Sequence, residues 1–520
     1  MALFRLPAVI TSLILVLCDA SPSGANYEIN HLHTFQNPSV LPDSDRDNFG
    51  VGLDMRGETY FIGARVADNG AVDTGALYHF ENPTSVPIQT ITNPTPDPDD
   101  RFGTTVVIVG NTVWVSATLD DTVGNDAGIV YIFDIGSGNL LDTLTSPNPT
   151  AGGHFGTPMI LSGSDVLIGS TGDSIEGIPA GAVYRVDGET GTIFQTYTNP
   201  SPATGDFFGA GIDSLDCQVL ISARFDVDDG TGEGTAYLFN TDGNLLQTFP
   251  NPSPGLNESY ASVALFWDKV AVGAGDNDDK GADSGVVRIF DKITGGLLRS
   301  VYHPDETAGA RFGGLARIGS DLFIGAPASS GVLEPGRAFV ISPETGDFLG
   351  EFVNPISEIR DFFGGPVAFD GERVLIAGWG ESPTGILSGA AYLYSATTDE
   401  VFIPSNLPPS APVVSISPAE PDTLDDLSCV IDVESVDPEW CPVTYSYDWY
   451  RNGALVVGAT DSVIPSSDTA WGDFFQCVVT PNDGEIDGAS GETAVAIIGN
   501  SAARPLAVEN WVLYDRSPAR

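Results

Sequence analysis

Residues 102–133 read FGTTVVIVGNTVWVSATLDDTVGNDAGIVYIF, and the fold follows from this stretch. Phe102-Gly103 opens it, and two β-type runs, Val106 to Val109 and Thr112 to Ser116, flank a Gly110-Asn111 turn as a tight hairpin requires. After a variable loop, Gly128-Ile-Val-Tyr-Ile-Phe133 supplies a third strand. Outward from this unit the aromatic recurs at Phe49, Phe102, Phe155, Phe208, Tyr260, Phe312 and Phe363, at intervals of 53, 53, 53, 52, 52 and 51 residues. Small residues such as Gly63-Ala64, Ser116-Ala117 and Gly325-Ala326 end each second strand. A fourth strand, as in Leu245 to Phe249, leaves through Asn251-Pro252. Each unit is thus four antiparallel strands, and units of this length bury a core only by stacking on their neighbours.

Seven such units predict an all-β ring in which closure protects the sheet edges. His33-Thr-Phe-Gln-Asn-Pro38 matches the fourth-strand exit Gln247-Thr-Phe-Pro-Asn-Pro252, so the segment Tyr27 to Phe35 is predicted to complete the seventh unit. Glu400 to Ile403 competes for that place. At these residues the chain resembles the FG-GAP repeat family, the fold of the integrin α-subunit head. The resemblance implies a seven-bladed β-propeller over residues 21–404. The fifth unit departs from it with Tyr260-Ala261, and the family's small-residue-proline ending stands only at Ala326-Pro327. Asp187-Gly-Glu-Thr-Gly191 and Ser342-Pro-Glu-Thr-Gly346 are similar to quinoprotein repeats, but Phe194 and Phe348 stand where those pack a tryptophan.

Beyond a proline-rich linker at 405–412 the chain changes character. Residues 413–499 carry Cys429, Trp449 and Cys477 in the order of an immunoglobulin-like β-sandwich, and resemble the immunoglobulin-like or PKD-like modules of secreted surface proteins. That resemblance implies a Cys429 to Cys477 disulfide around Trp449. It leaves Cys441 free or paired between molecules, and Cys217 as a buried small hydrophobe. Residues 500–520 receive no fold.

Residues 1–20, with Arg5, an apolar run from Leu6 to Leu17 and Cys18-Asp-Ala20, read as a secretory signal, so the protein is expected to be secreted or held at a cell surface. No later segment has the ~18 consecutive apolar residues of a membrane span, so surface attachment would be indirect. The balance of 70 acidic to 21 basic side chains, −49 in all, excludes nucleic acid as a partner and favours cations.

In a four-stranded unit the loops between strands two and three, and those leading to the next unit, share one face. On it fall most of the acids, on glycine-containing loops suited to the many oxygens that calcium requires. The candidate calcium ligands are Asp226, Asp228, Asp229 and Glu233 in the fourth unit, and Asp276, Asp278, Asp279 and Asp283 in the fifth. Turn closure through Asx hydrogen bonds is the alternative. No nucleophile elbow, zincin, phosphate-loop or dinucleotide motif occurs. The sequence therefore reads as a noncatalytic binding or adhesion protein recognising an extracellular protein or glycan through the acidic loop face, with calcium as the candidate cofactor. A structural surface component and a hydrolase with an axial site are the alternatives.

Overall fold

The computed structural model describes residues 27–38, 47–69, 71–226, 234–252, 260–328, 335–356, 361–380, 388–397, 407–438, 441–484 and 486–500. Among them the chain is all-β, with one 3-10 turn at Ser466–Asp468. Up to Thr397 it forms seven four-stranded antiparallel sheets and a small hairpin, Ser174–Ile175 with Ile178–Pro179. The second sheet is typical: Phe102–Val109, Thr112–Ala117, Ile129–Asp134 and Leu140–Thr145 lie side by side in chain order. The first strands of consecutive sheets touch in cyclic order, and Phe363–Phe369 of the last meets Phe49–Arg56 of the first. The arrangement is consistent with a β-propeller.

The seventh sheet is closed from the other end of the chain. Glu28–Gln36 pairs antiparallel with Ala390–Thr397, Phe35 opposite Ala391. Residues 400–403, the competing segment, lie outside the described residues.

The repeat spacing has a packing cause. The aromatic opening each unit is fully buried, and where the unit's third strand carries a tyrosine it leans on that ring, as with Phe102 on Tyr131 at 6.0 Å between centroids and Phe155 on Tyr184 at 5.8 Å. The glycine before the third strand lets the next sheet approach. Gly128 has φ 81°, and a Cβ there would stand 2.5 Å from the carbonyl oxygen of Phe155. Inner strand edges would otherwise leave backbone groups unpaired. Asp54 accepts from the Ile108 N–H at 2.6 Å, and Asp213 from the Leu265 N–H at 2.7 Å, each from the neighbouring sheet. Arg317 donates to the carbonyls of Leu265 and Ser214.

Past 407 two further sheets enclose a separate core. Val413–Ser417, Leu427–Val433 and Val463–Ile464 form one, and Thr444–Arg451 with Phe474–Asn482 centre the other. Trp449 is fully buried between them, opposite Cys477 in register, its indole N–H donating to the Asp461 carbonyl at 2.9 Å. The linker lies against this unit: Ser410 and Val436 exchange two hydrogen bonds.

The cysteine pairing differs from the expectation. Cys429 and Cys477 are unbridged buried thiols within one core. The disulfide joins Cys217 to Cys441 instead. Cys217 is not a core hydrophobe but sits in the turn between Phe208–Leu215 and Gln218–Ala223, and the loop carrying Cys441 meets it with the Cα atoms 5.0 Å apart, within the span a disulfide bridges. Two turns remote in sequence can meet only once both units have folded, which spacing does not show.

Candidate ligand-binding face

The loops that follow the second strands and those that lead into the next sheet are tied together. Arg101 N–H donates to the Asp73 carbonyl, His154 N–H to Asp126, and Arg311 N–H to Asp283, at 3.3, 3.1 and 2.9 Å. Each bond joins one sheet's loop to the approach of the next. The two loop classes therefore share one face, and the hairpin turns, including that of Cys217, lie at the other end of the strands.

Three devices made of acids hold this face. In the first, a carboxylate caps the amide five residues on: Asp68 for Asp73 at 2.8 Å, Asp121 for Asp126 at 2.6 Å and Asp278 for Asp283 at 2.8 Å. The capped residues adopt left-handed φ of 55°, 50° and 51°, which aspartate tolerates better than most side chains. The second is a buried amide–carboxylate pair. Asn93 donates to Asp100 at 2.7 Å, Asn199 to Asp206 at 2.8 Å, Asn354 to Asp361 at 2.6 Å and Asn37 to Asp47 at 2.6 Å. Each asparagine belongs to an Asn-Pro exit. Burial pushes the Asp100 carboxyl up to about 6.

The third device is a buried acid three residues past the second strand, held by the third-strand tyrosine. Tyr131 donates to Asp120 at 2.8 Å, Tyr184 to Asp173 at 2.8 Å and Tyr237 to Asp226 at 2.5 Å. Burial holds the Tyr131 and Tyr184 hydroxyls well above the usual phenol range, so they remain donors.

The candidate calcium ligands among the described residues fall within these devices or against arginine. Asp226 is buried against Tyr237 and Asn199. Asp276 lies between Arg224 at 3.1 Å and Arg311 at 3.6 Å. Asp279 pairs with Arg288 at 3.0 Å and accepts from Tyr302. Asp278 caps Asp283, whose own backbone makes the turn. Asp228, Asp229 and Glu233 lie outside the described residues. Among the described residues no three His, Cys, Asp or Glu side chains come together as a metal group.

Sequence reasoning missed the cationic part of this face. Among the described residues, the one before an opening aromatic, Asn48, Arg101, His154, Phe207, Arg311 or Phe362, has a left-handed φ between 50° and 60°. Two arginines stand at that register, and two more, Arg65 and Arg224, directly follow the paired small residues that end a second strand. The signal was present in the aligned repeats, one position to the left of the aromatic.

Among the described residues no helix is long and apolar enough to cross a membrane. No curated protein matches the chain. Residues 88–133, from the fourth strand of the first sheet through the third strand of the second, match the FG-GAP repeat family, whose repeats are typical of extracellular, adhesion-type proteins.

Proposed function

We propose that the chain is a secreted or surface-associated, noncatalytic binding protein. Its seven sheets act as the blades of a propeller, its residues 413–499 as an immunoglobulin-like module, and its loop face docks an extracellular protein or glycan. The observation that carries this reading is the set of loop-to-loop hydrogen bonds that gathers turns from separate sheets into one rigid surface. A rigid surface binds without first having to order its own loops. The Cys217–Cys441 bridge belongs to the hairpin end, which leaves the loop face free. That bridge also removes the unpaired Cys441 that would have favoured a structural, self-linking role.

Binding of the secreted chain to an extracellular-glycan and matrix-protein array tests the reading. Asp121→Lys on the loop face should abolish capture, and Asp187→Lys on a hairpin turn should leave it intact. Capture lost equally in both, or in neither, contradicts the reading. Calcium is a separable part of the proposal: if the 226–233 and 276–283 loops hold it, chelation lowers both capture and melting temperature, and an unchanged protein removes the metal from the account.

A further inference from the structure

In a chain with 70 acidic and 21 basic side chains, an arginine without an acid is the exception to explain. Among the described arginines, all but two pair with a carboxylate or donate to a carbonyl, as Arg185 does to Asp165 and Arg317 to Leu265. Arg65 and Arg101 do neither. They are half-buried and have no carboxylate within ion-pair distance among the described residues, the Arg101 Nε is buried without a partner, and their strand ends abut, a Cβ at Gly63 standing 2.0 Å from the Gly103 carbonyl oxygen. Burial, and then the Arg101 charge, lowers the Arg65 guanidinium from its usual range. Two like charges held together with their donors unused form a preorganised receptor for an anion.

The pair belongs to a larger ring. Arg65 follows the second strand of the first sheet and Arg101 precedes the first strand of the second, at the loop-face ends of the innermost strands. On the far arc, Arg224 and Arg311 share the single carboxylate of Asp276. Burial lowers the His154 imidazole from its usual range. Asp73 and Asp99 act on one another near Arg101, so the acidic rim begins immediately outside the arginines. Aromatic rings stand at Phe207 and Phe362 before the opening aromatics and at Trp379 after a second strand. Phe207 and Phe225 meet edge to face at 5.7 Å and are 37% and 36% exposed, and Phe362 stacks on Trp379 at 4.2 Å.

We propose that these strand ends, on the loop face, bind the carboxylate of a terminal acidic sugar. Arg65 and Arg101 take the carboxylate, and the exposed rings face the sugar's apolar surface. The rim argues for the terminal position. A polyanion crossing it would meet the acids of every unit, whereas one carboxylate on an otherwise neutral glycan passes the rim once and reaches the arginines. The proposal rests on the loop face being the docking surface and names its ligand class.

The test titrates the full chain with D-glucuronate, and separately with D-glucose, acetate and N-acetylglycylglycine, at fixed ionic strength by NMR or calorimetry. Saturable glucuronate binding is expected, about tenfold weaker in Arg101→Gln and in Arg65→Gln and absent in the double variant, as loss of charge-assisted contacts implies. Melting curves of the variants establish that they fold. Equal binding of glucose, acetate or the peptide, or glucuronate binding indifferent to both arginines, overturns the proposal. If array ligands are captured and lost on Asp121→Lys while glucuronate does not bind, the acidic-sugar site is wrong and the docking face stands.

Discussion

A buried carboxylate needs a donor, and the repeat supplies one from the asparagine of its Asn-Pro exit. Where the acid two residues before the opening aromatic is missing, the asparagine is missing too. Gly153 accompanies Ser146, which turns to Asp173 instead, and Ala310 accompanies His303, whose Nδ1 accepts from the Asp305 N–H. The two positions act as one unit, so Asn93→Ala should cost about 1–3 kcal/mol by leaving Asp100 buried with a donor removed. The double change Asn93→Ala with Asp100→Ala should cost less than the sum of the two, read from urea unfolding; additive losses would contradict the coupling. At the inner edge, burial raises the Asp54 carboxyl to about 6. A raised carboxyl binds its proton more tightly in the folded chain, so its contribution is fully present below about pH 4 and is lost as pH rises through about 6. The melting temperature of Asp54→Asn relative to the parent should therefore rise between pH 4 and 6, and a constant difference would show that Asp54 does not titrate there. The sequence displayed both Asn-Pro and the acids, but which acids are buried depends on the neighbouring sheet, which the sequence does not display.

At the scale of the strand and turn, the sequence was most legible. Hairpin turns, small residues and the third-strand tyrosine fixed the four-strand unit because each acts locally or within one sheet. Gly128 shows where local reading ends: its left-handed φ serves contact with Phe155 of the next sheet. Gly128→Ala should cost about 1–3 kcal/mol from backbone strain, with steric conflict in addition. Gly110, also left-handed at φ 55° but facing open space, should tolerate alanine better. Denaturant midpoints compare the two, and equal losses would contradict the close sheet-to-sheet approach.

At the scale of the whole molecule, what holds the chain together joins residues remote in sequence. Cys217, Cys429, Cys441 and Cys477 allow three pairings, and the resemblance of 413–499 selected Cys429–Cys477, whereas the folded chain links Cys217 to Cys441 across 224 residues. Peptide mapping under non-reducing conditions should recover that cross-link and find Cys429 and Cys477 alkylated only after denaturation. Cys441→Ser should lower stability by about 2–4 kcal/mol without changing the sheets. A mapped Cys429–Cys477 bridge would contradict it.

Ring closure by the N-terminal strand is the claim on which the shared loop face depends, and its register can be trapped directly. Asn30 and Ser395 are opposed across the closing pair, 365 residues apart in sequence. In the variant Asn30→Cys with Ser395→Cys, oxidation should form a cross-link between these two positions and raise the melting temperature. Two thiols that stay reduced and accessible, or a cross-linked chain that melts lower than the parent, would contradict the closed ring.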